Sequence, residues 1–230
     1  MATLPPSDTP GGIRRRVEAR KARRRLYPVS VVYTIGSLAL LWLGLHSSHR
    51  SRAFFFYALG FPVWTWIEYQ VHRYILHGRF PDGAGLWQHF LHKSFDHLHL
   101  EHHARPWDGN HVNGTLRDTG PAVVLLLAAS TLLPPFTITM IVAGVIQAYI
   151  LEEWVHHSVH FSNFRSKYFR YIKRHHLYHH SPRGFEVGYG LTNGFWDVIY
   201  TTRIPAPIRR ALYGRKKKPV GCRLTLHEAS

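Results

Sequence analysis

Residues 28–45 have the sequence PVSVVYTIGSLALLWLGL and contain no charged side chain. A membrane-spanning helix needs about 20 predominantly apolar residues, so this segment predicts a first span. Residues 53–71, AFFFYALGFPVWTWIEYQV, follow a short polar turn and carry their first charge at Glu68. They predict a second span that returns across the membrane, so we expect a fold built on apolar helices.

Two further apolar segments occupy residues 120–133 and 136–151, on either side of Pro134 and Pro135. A helix must stop or kink at such a pair. Each segment is short for a complete span, which favours a tight or shallow hairpin over two long helices. The alternative is a buried core hairpin of a soluble protein, which the mean hydropathy of −0.18 permits.

The net charge of +16 is concentrated at the two ends of the chain. Residues 1–25 and 203–230 each carry eight basic side chains against one or two acidic ones. We therefore expect a basic N-terminal tail (1–25), a membrane-embedded domain (26–202) and a basic C-terminal tail (203–230). Such tails are typical of cytoplasmic flanks that touch anionic lipid. They argue against nucleic-acid binding, which places basic and aromatic residues together on the folded domain.

Histidine is unusually frequent, at 19 of 230 residues, and most of it lies in four clusters. On a helix, positions i, i+3 and i+4 share a face, so two H-x-x-H-H motifs each direct three imidazoles one way. A third cluster directs two more. The candidate ligands are His72, His77, His99, His102, His103, His156, His160, His176, His179 and His180. With the N-terminus in the cytoplasm, counting crossings places all of them on the cytoplasmic side.

Ten imidazoles exceed what one ion can bind, so two ions sharing a site is the simplest expectation. Cys222 is the only cysteine, which leaves no thiolate cage and no internal disulfide. His72 and His77 are five residues apart, about 140° on a regular helix, so they would serve two ions or mark a distorted helix end. Nearby carboxylates could accept the second N–H of a ligand ring. These are Asp96, Glu101, Glu153 and Asp197. Most of the remaining histidines are expected to support the site or to lie in solvent. They are His89, His92, His97, His111, His157 and His175.

The order H-x4-H, H-x2-H-H, H-x3-H, H-x2-H-H resembles the fatty acid hydroxylase/sterol desaturase superfamily of membrane oxygenases. WIEY at 66–69, HHARPWDG at 102–109 and GYG at 188–190 followed by Trp196-Asp197 resemble its fatty acid 2-hydroxylase branch. That branch acts on free or ceramide-linked acyl chains. The resemblance covers about residues 60–200. It implies an all-α, four-helix membrane base with a cytoplasmic cap, in which the ten histidines bind two metal ions generally described as iron. Imidazole ligation also suits zinc.

The resemblance implies O2-dependent hydroxylation of the carbon next to an acyl carboxyl or amide. Many relatives carry a fused cytochrome b5 domain, for which this chain has no room, so a separate donor of cytochrome b5 or ferredoxin type is expected. Residues 181–187, SPRGFEV, differ from the family pattern. An acyl tail entering from membrane lipid would meet aromatic side chains along the spans. The candidates are Phe61, Trp64, Trp66 and Phe95.

Other functions remain open at this stage. The same chemistry could act on a carotenoid ring or a sterol, and a catalytically inactive relative could bind lipid. A non-catalytic metal-binding or metal-transport protein would place ligands near mid-membrane, whereas these clusters begin where the apolar segments end. The expected location is a multi-pass position in a bacterial inner membrane or an endoplasmic reticulum.

Overall fold

The computed structural model describes residues 9–78, 80, 83, 85–92 and 97–214. These residues form helices and irregular segments and contain no strand, which confirms the all-α class. The helices are α1 (Pro10–Leu45), α2 (Arg50–Gln70), a π-helical turn (Val71–Leu76), α3 (Leu86–Leu91), α4 (His97–Ala104), α5 (Leu116–Ser130), α6 (Ile138–Phe161), α7 (Lys167–His179), α8 (Phe195–Ile199) and α9 (Ala206–Tyr213).

Within the described ranges, α1 and α6 are the helices that are both long and apolar enough to cross a membrane. The first predicted span lies within α1, and the second coincides with α2 except for Val71. The short hairpin expected after residue 120 is wrong for its second arm. Because neither proline nor glycine follows Gly144 in α6, the helix continues ten residues past Leu151 and carries His156 and His160.

The basic segment 10–25 is helical and forms the first part of α1. Arginine, lysine and alanine are strong helix formers, so the helix runs through this segment without a break. Glu18 Oε2 accepts a hydrogen bond from the Gly109 backbone N–H at 3.0 Å, and the Ala19 carbonyl oxygen lies 3.1 Å from His157 Nε2. The segment therefore packs against the end of the molecule that carries the ten candidate ligands, His72 to His180. We call this end the histidine end.

The crossing of α2 and α6 is closed by two facing glycines. A Cβ added to Gly144 would lie 2.0 Å from the Tyr57 carbonyl oxygen, and one added to Gly60 would lie 2.6 Å from the Ile141 carbonyl oxygen. Since no side chain fits at this distance, the two backbones touch. The contact fixes the relative height of the two helices, whose ends deliver histidines to the site.

Gly144→Val is expected to destabilise the protein because the new side chain must push α2 and α6 apart. Overpacking of this kind costs about 1–3 kcal/mol. Gly36→Val is the matched control, because a Cβ at Gly36 in α1 meets nothing within 4 Å. Thermal unfolding of both variants in the same detergent should show a lowered Tm for Gly144→Val alone. Equal Tm values would contradict the close crossing.

Candidate metal centre

The ten candidate histidines meet at the histidine end in two groups of five. Site 1 consists of His72, His77, His99, His103 and His179. Site 2 consists of His102, His156, His160, His176 and His180. Within each site, one ring nitrogen per residue lies within 4.8 Å of all the others. The sites adjoin, since the rings of His103 and His180 stack with their centroids 4.3 Å apart.

Both H-x-x-H-H motifs divide their histidines between the two sites, so the expectation of three imidazoles directed one way was wrong. In α4, His99 and His103 enter site 1 and His102 enters site 2. In α7, His176 and His180 enter site 2 and His179 enters site 1. Residues i+3 and i+4 diverge by about 100° around a helix, and this divergence separates the two directions.

His72 and His77 both belong to site 1 because the backbone between them is a π-helical turn. The His77 N–H donates to the His72 carbonyl oxygen at 3.1 Å, a hydrogen bond across five residues. That spacing brings side chains five apart onto successive turns of one face. Of the two possibilities that the spacing left open, the distorted helix end is the one found.

Hydrogen bonds to backbone carbonyls fix the orientation of two rings in site 1. His72 Nδ1 lies 2.5 Å from the Tyr189 carbonyl oxygen, and His179 Nδ1 lies 2.9 Å from that of Val187. A carbonyl oxygen only accepts, so each Nδ1 carries the proton and each Nε2 presents a lone pair. His179 Nε2 and His72 Nε2 are 3.1 Å apart. Two lone pairs at this distance repel each other, and a cation between them would remove the repulsion.

The ring nitrogens of site 2 have the same spacing. His160 Nε2 lies 3.1 Å from His156 Nε2 and 2.9 Å from His176 Nε2, and His102 Nε2 lies 3.1 Å from His156 Nε2. Ligands at right angles around a metal with bonds of about 2.1 Å would be about 3.0 Å apart. Each site could therefore hold a metal ion in the space that the nitrogens already surround.

Burial keeps the site imidazoles in the neutral form that binds metals. Burial, together with repulsion from neighbouring imidazoles, lowers the pKa of His103 to about 2. Burial also lowers the pKa of His179 to about 4, although the hydrogen bond to Val187 opposes the shift. Near neutral pH these rings are uncharged, so no proton has to leave before a cation binds.

Asp197 anchors the loop that supplies the two carbonyls. Its carboxylate is fully buried and accepts hydrogen bonds from Tyr189 N–H at 2.9 Å, Gly190 N–H at 3.1 Å, the Thr202 hydroxyl at 2.8 Å and His175 Nε2 at 3.2 Å. Burial alone would raise the pKa of Asp197, but the hydrogen bonds and the charge of His175 outweigh it and lower the pKa. Asp197 thus acts on site 1 through the loop.

Glu68 holds the next part of the same loop from α2. Its Oε1 accepts from the backbone N–H groups of Leu191 at 2.5 Å and Thr192 at 3.2 Å, and its Oε2 accepts from the Thr192 hydroxyl at 2.7 Å. The sequence placed Glu68 at the end of an apolar segment without giving it a role. The sequence did contain a sign of this role. Glu68 is a lone carboxyl group in an apolar segment, one helical turn before His72, and a carboxyl group in such a place needs buried hydrogen-bond donors.

Two of the other predicted supporting carboxylates contact residues outside the two sites. Glu101 forms an ion pair with Arg105, with Arg105 Nε 2.9 Å from Glu101 Oε2. Glu153 Oε2 accepts from the Asn113 side chain at 2.6 Å. Asp96 lies outside the described residues. His157 and His175 are buried and belong to neither site.

Three of the four aromatic residues predicted to contact substrate are described, and each has a different aromatic neighbour. Phe61 packs against Tyr57, with ring centroids 5.8 Å apart. Trp64 packs against Tyr149 at 5.3 Å. Trp66 is exposed and donates its indole N–H to the Tyr200 hydroxyl at 3.0 Å. Phe95 lies outside the described residues.

Trp107 is a contact of site 2 that the sequence analysis assigned only to a motif. The centre of its ring lies 5.6 Å from that of the His160 ring, in an edge-to-face arrangement. The Arg15 guanidinium lies over the Trp107 ring, 4.3 Å from the ring centre. Arg15 comes from the basic segment of α1. The N-terminal helix therefore contacts Trp107, a residue that itself touches His160 of site 2. Arg15 and Trp107 are far apart in the sequence.

Comparisons with known proteins agree with this geometry. The family model described as fatty acid hydroxylase matches residues 57–202, more than half of the chain. Fatty acid 2-hydroxylase of Rattus norvegicus is 29% identical over 157 residues, which cover 65% of this chain and 39% of that protein. Ceramide very long chain fatty acid hydroxylase SCS7 of Saccharomyces cerevisiae is 29% identical over 196 residues, which cover 80% of this chain and 46% of that protein.

A solved structure titled full-length scs7p, in which only the hydroxylase domain is visible, superposes with a TM-score of 0.65 at 25% identity. The match covers 78% of this chain and 67% of that one. The chain thus spans less than half the length of the rat and yeast relatives. The residues of this chain that match the family model, 57–202, include every histidine of both sites.

Proposed function

Because the chain belongs to the fatty acid hydroxylase family, we propose that it is a membrane-bound, non-haem, two-metal monooxygenase. Its substrate is a fatty acyl chain, free or linked to a sphingolipid, and the product carries a hydroxyl at C2. The reaction consumes R–H, O2, two electrons and two protons and yields R–OH and water. The electrons come from a separate protein of cytochrome b5 or ferredoxin type. The names of the relatives support the acyl substrate.

The observation that carries this proposal is the convergence of ten neutral imidazoles in two adjoining sites. The fixed tautomers of His72 and His179 aim lone pairs at one point, which a hydrogen-bonded polar cluster would not do. When bound there, two redox-active ions, most simply iron, would supply the activation of O2 that side chains cannot provide. Zinc fits the same nitrogens and would give an inactive protein.

The chain's own residues position the site and exclude water from it. His102, His160, His176 and His179 are each at most 2% exposed, so solvent does not reach the centre from their side. The loop held by Asp197 and Glu68 fixes two ring orientations. Phe61, Trp64 and Trp66, all on α2, remain the proposed contacts for an acyl tail arriving from the membrane.

We further propose that α1, α2, α5 and α6 cross the membrane and that the histidine end faces the cytoplasm. The basic segment 10–25 contacts Gly109 and His157 and so lies at the histidine end. Basic residues flanking the first span are retained on the cytoplasmic side. The membrane is that of a bacterial cell or an endoplasmic reticulum.

The function is tested by lipid mass spectrometry of a bacterial host that makes no 2-hydroxy lipids and co-expresses cytochrome b5 with its reductase. We expect 2-hydroxy acyl chains with the wild type and none with a His102→Ala/His179→Ala variant that inserts equally well. Supplying carotenoids or sterols to the same host tests the rival substrates. A new hydroxyl on those lipids, with acyl chains unchanged, would contradict the acyl assignment.

A further inference from the structure

A basic cavity of about 530 Å³ opens on the face of α7 opposite its histidines. It is lined by Lys167, Arg170, Tyr171, Arg174, Tyr213 and Gly214. The lining combines three cationic side chains with two tyrosine rings, so positive charge surrounds a partly apolar floor. The lining suits the carboxylates of a polar partner, which arginine and lysine bind by charge-assisted hydrogen bonds.

The chain segment that contains the cavity lining is strongly basic. Between residues 165 and 214 the chain has nine lysines and arginines against Glu186 and Asp197, and of these Lys173 and Asp197 are buried. Lys167 and Arg170 are exposed and form no ion pair with other described residues. Their charge therefore acts on approaching molecules and would steer an acidic protein to this face.

The floor of the cavity is connected to site 2 over a short path. The rings of Tyr171 and Tyr213 lie 4.9 Å apart. The Tyr213 hydroxyl lies 3.3 Å from His175 Nδ1, and His175 precedes His176 of site 2 in the chain. α7 thus carries site histidines on one face and positive side chains on the other. This arrangement suits a helix that receives electrons from a protein bound at its outer face.

We propose that this cavity is the docking site of the electron donor, a small acidic carrier protein that delivers one electron per encounter. This inference rests on the proposed function, because hydroxylation requires two electrons from outside the chain. Each docking oxidises one carrier, two dockings supply the electrons for one O2, and the two protons come from solvent. Tyr213 and His175 connect the cavity to the chain segment that carries His176 of site 2.

The test measures the Kd of the soluble haem domain of an acidic cytochrome b5 for the full chain in nanodiscs of phosphatidylcholine. We expect Lys167→Glu/Arg170→Glu to weaken binding at least about 10-fold at low salt, with a reduced salt dependence. The matched control, Arg20→Glu/Arg24→Glu, changes the charge equally at two exposed positions of α1. It should change Kd less than about 2-fold, since α1 is outside the docking site.

Two further measurements separate this proposal from the proposed function. Dithionite is a small reductant that replaces the protein donor, so hydroxylation driven by it should be equal in the two double variants. If dithionite drove no hydroxylation in the wild type, the proposed function would be refuted and the binding result would be unaffected. Equal Kd values for wild type and Lys167→Glu/Arg170→Glu would overturn the docking site. A loss of binding to phosphatidylglycerol vesicles with an unchanged Kd for cytochrome b5 would assign the surface to lipid and also overturn it.

Discussion

Replacing His179 with alanine should cost the protein one bound metal ion and leave the other in place, and His160→Ala should do the same at the second site. His179 Nε2 lies 3.1 Å from both His72 Nε2 and His77 Nε2 in site 1. His160 holds the equivalent position between His156 and His176 in site 2. Removing either ring takes a central ligand from one site only, because the two sites share no residue.

Metal content per chain, measured by inductively coupled plasma mass spectrometry after growth with added iron, should fall from about two ions to about one in each variant. Formation of 2-hydroxy acyl chains should fall at least about 100-fold in both, the upper end of what losing even an outer partner of a metal costs. His157→Ala is the control, since His157 is buried beside His156 and belongs to neither site. Unchanged metal content in the His179 and His160 variants would contradict their assignment as ligands.

The sequence was sufficient to identify the candidate ligands, because the histidine motifs and their spacing can be read directly from it. It was not sufficient to divide them between two sites. The angle between i+3 and i+4 separates the directions of His102 and His103, but the site that each ring enters depends on how α4 is rotated relative to α6 and α7, which no local pattern records. The π-helical turn before His77 could not be predicted from the side chains either. It is defined by the backbone hydrogen bond from His77 to His72, which the amino-acid composition does not reveal.

The fold shows the same division between local and distant information. Apolar composition predicted helices at residues 28–45 and 53–71, and α1 and α2 are found there. It could not predict that 10–25 extends the first helix, because the contact of Glu18 with Gly109 joins segments 91 residues apart. The support of His72 and His179 by carbonyl oxygens was also hidden, since any residue type has a carbonyl.

Asp197→Asn is expected to weaken metal binding at site 1 by about 10- to 100-fold, the usual cost of losing an outer partner of a ligand. Both carboxylate oxygens of Asp197 accept from a backbone N–H, Oδ1 from Tyr189 and Oδ2 from Gly190. An asparagine amide must place an NH2 group against one of them. A backbone N–H cannot rotate away, so the loop loses a hydrogen bond at a buried position, at a cost of about 1–3 kcal/mol.

Glu68→Gln is the matched comparison, because it also exchanges a buried carboxyl group beside the same loop for an amide. Here both backbone donors, Leu191 and Thr192, converge on Oε1, and Oε2 accepts only from the Thr192 hydroxyl. A glutamine can keep its oxygen at the Oε1 position and donate its NH2 to that hydroxyl, which rotates to accept. We therefore expect Glu68→Gln to retain metal binding within about 3-fold of the wild type.

Competition titrations with a chromophoric chelator give the affinity of each site in both variants, with the His160→Ala background isolating site 1. If hydrogen-bond geometry controls the loop, Asp197→Asn weakens site 1 and Glu68→Gln does not. If any exchange of a carboxyl group for an amide beside the loop weakened binding, both variants would lose affinity together, and the role of hydrogen-bond geometry in orienting His72 and His179 would be refuted. The comparison is informative because both substitutions exchange a buried carboxyl group for an amide, and the two carboxyl groups face their backbone donors differently.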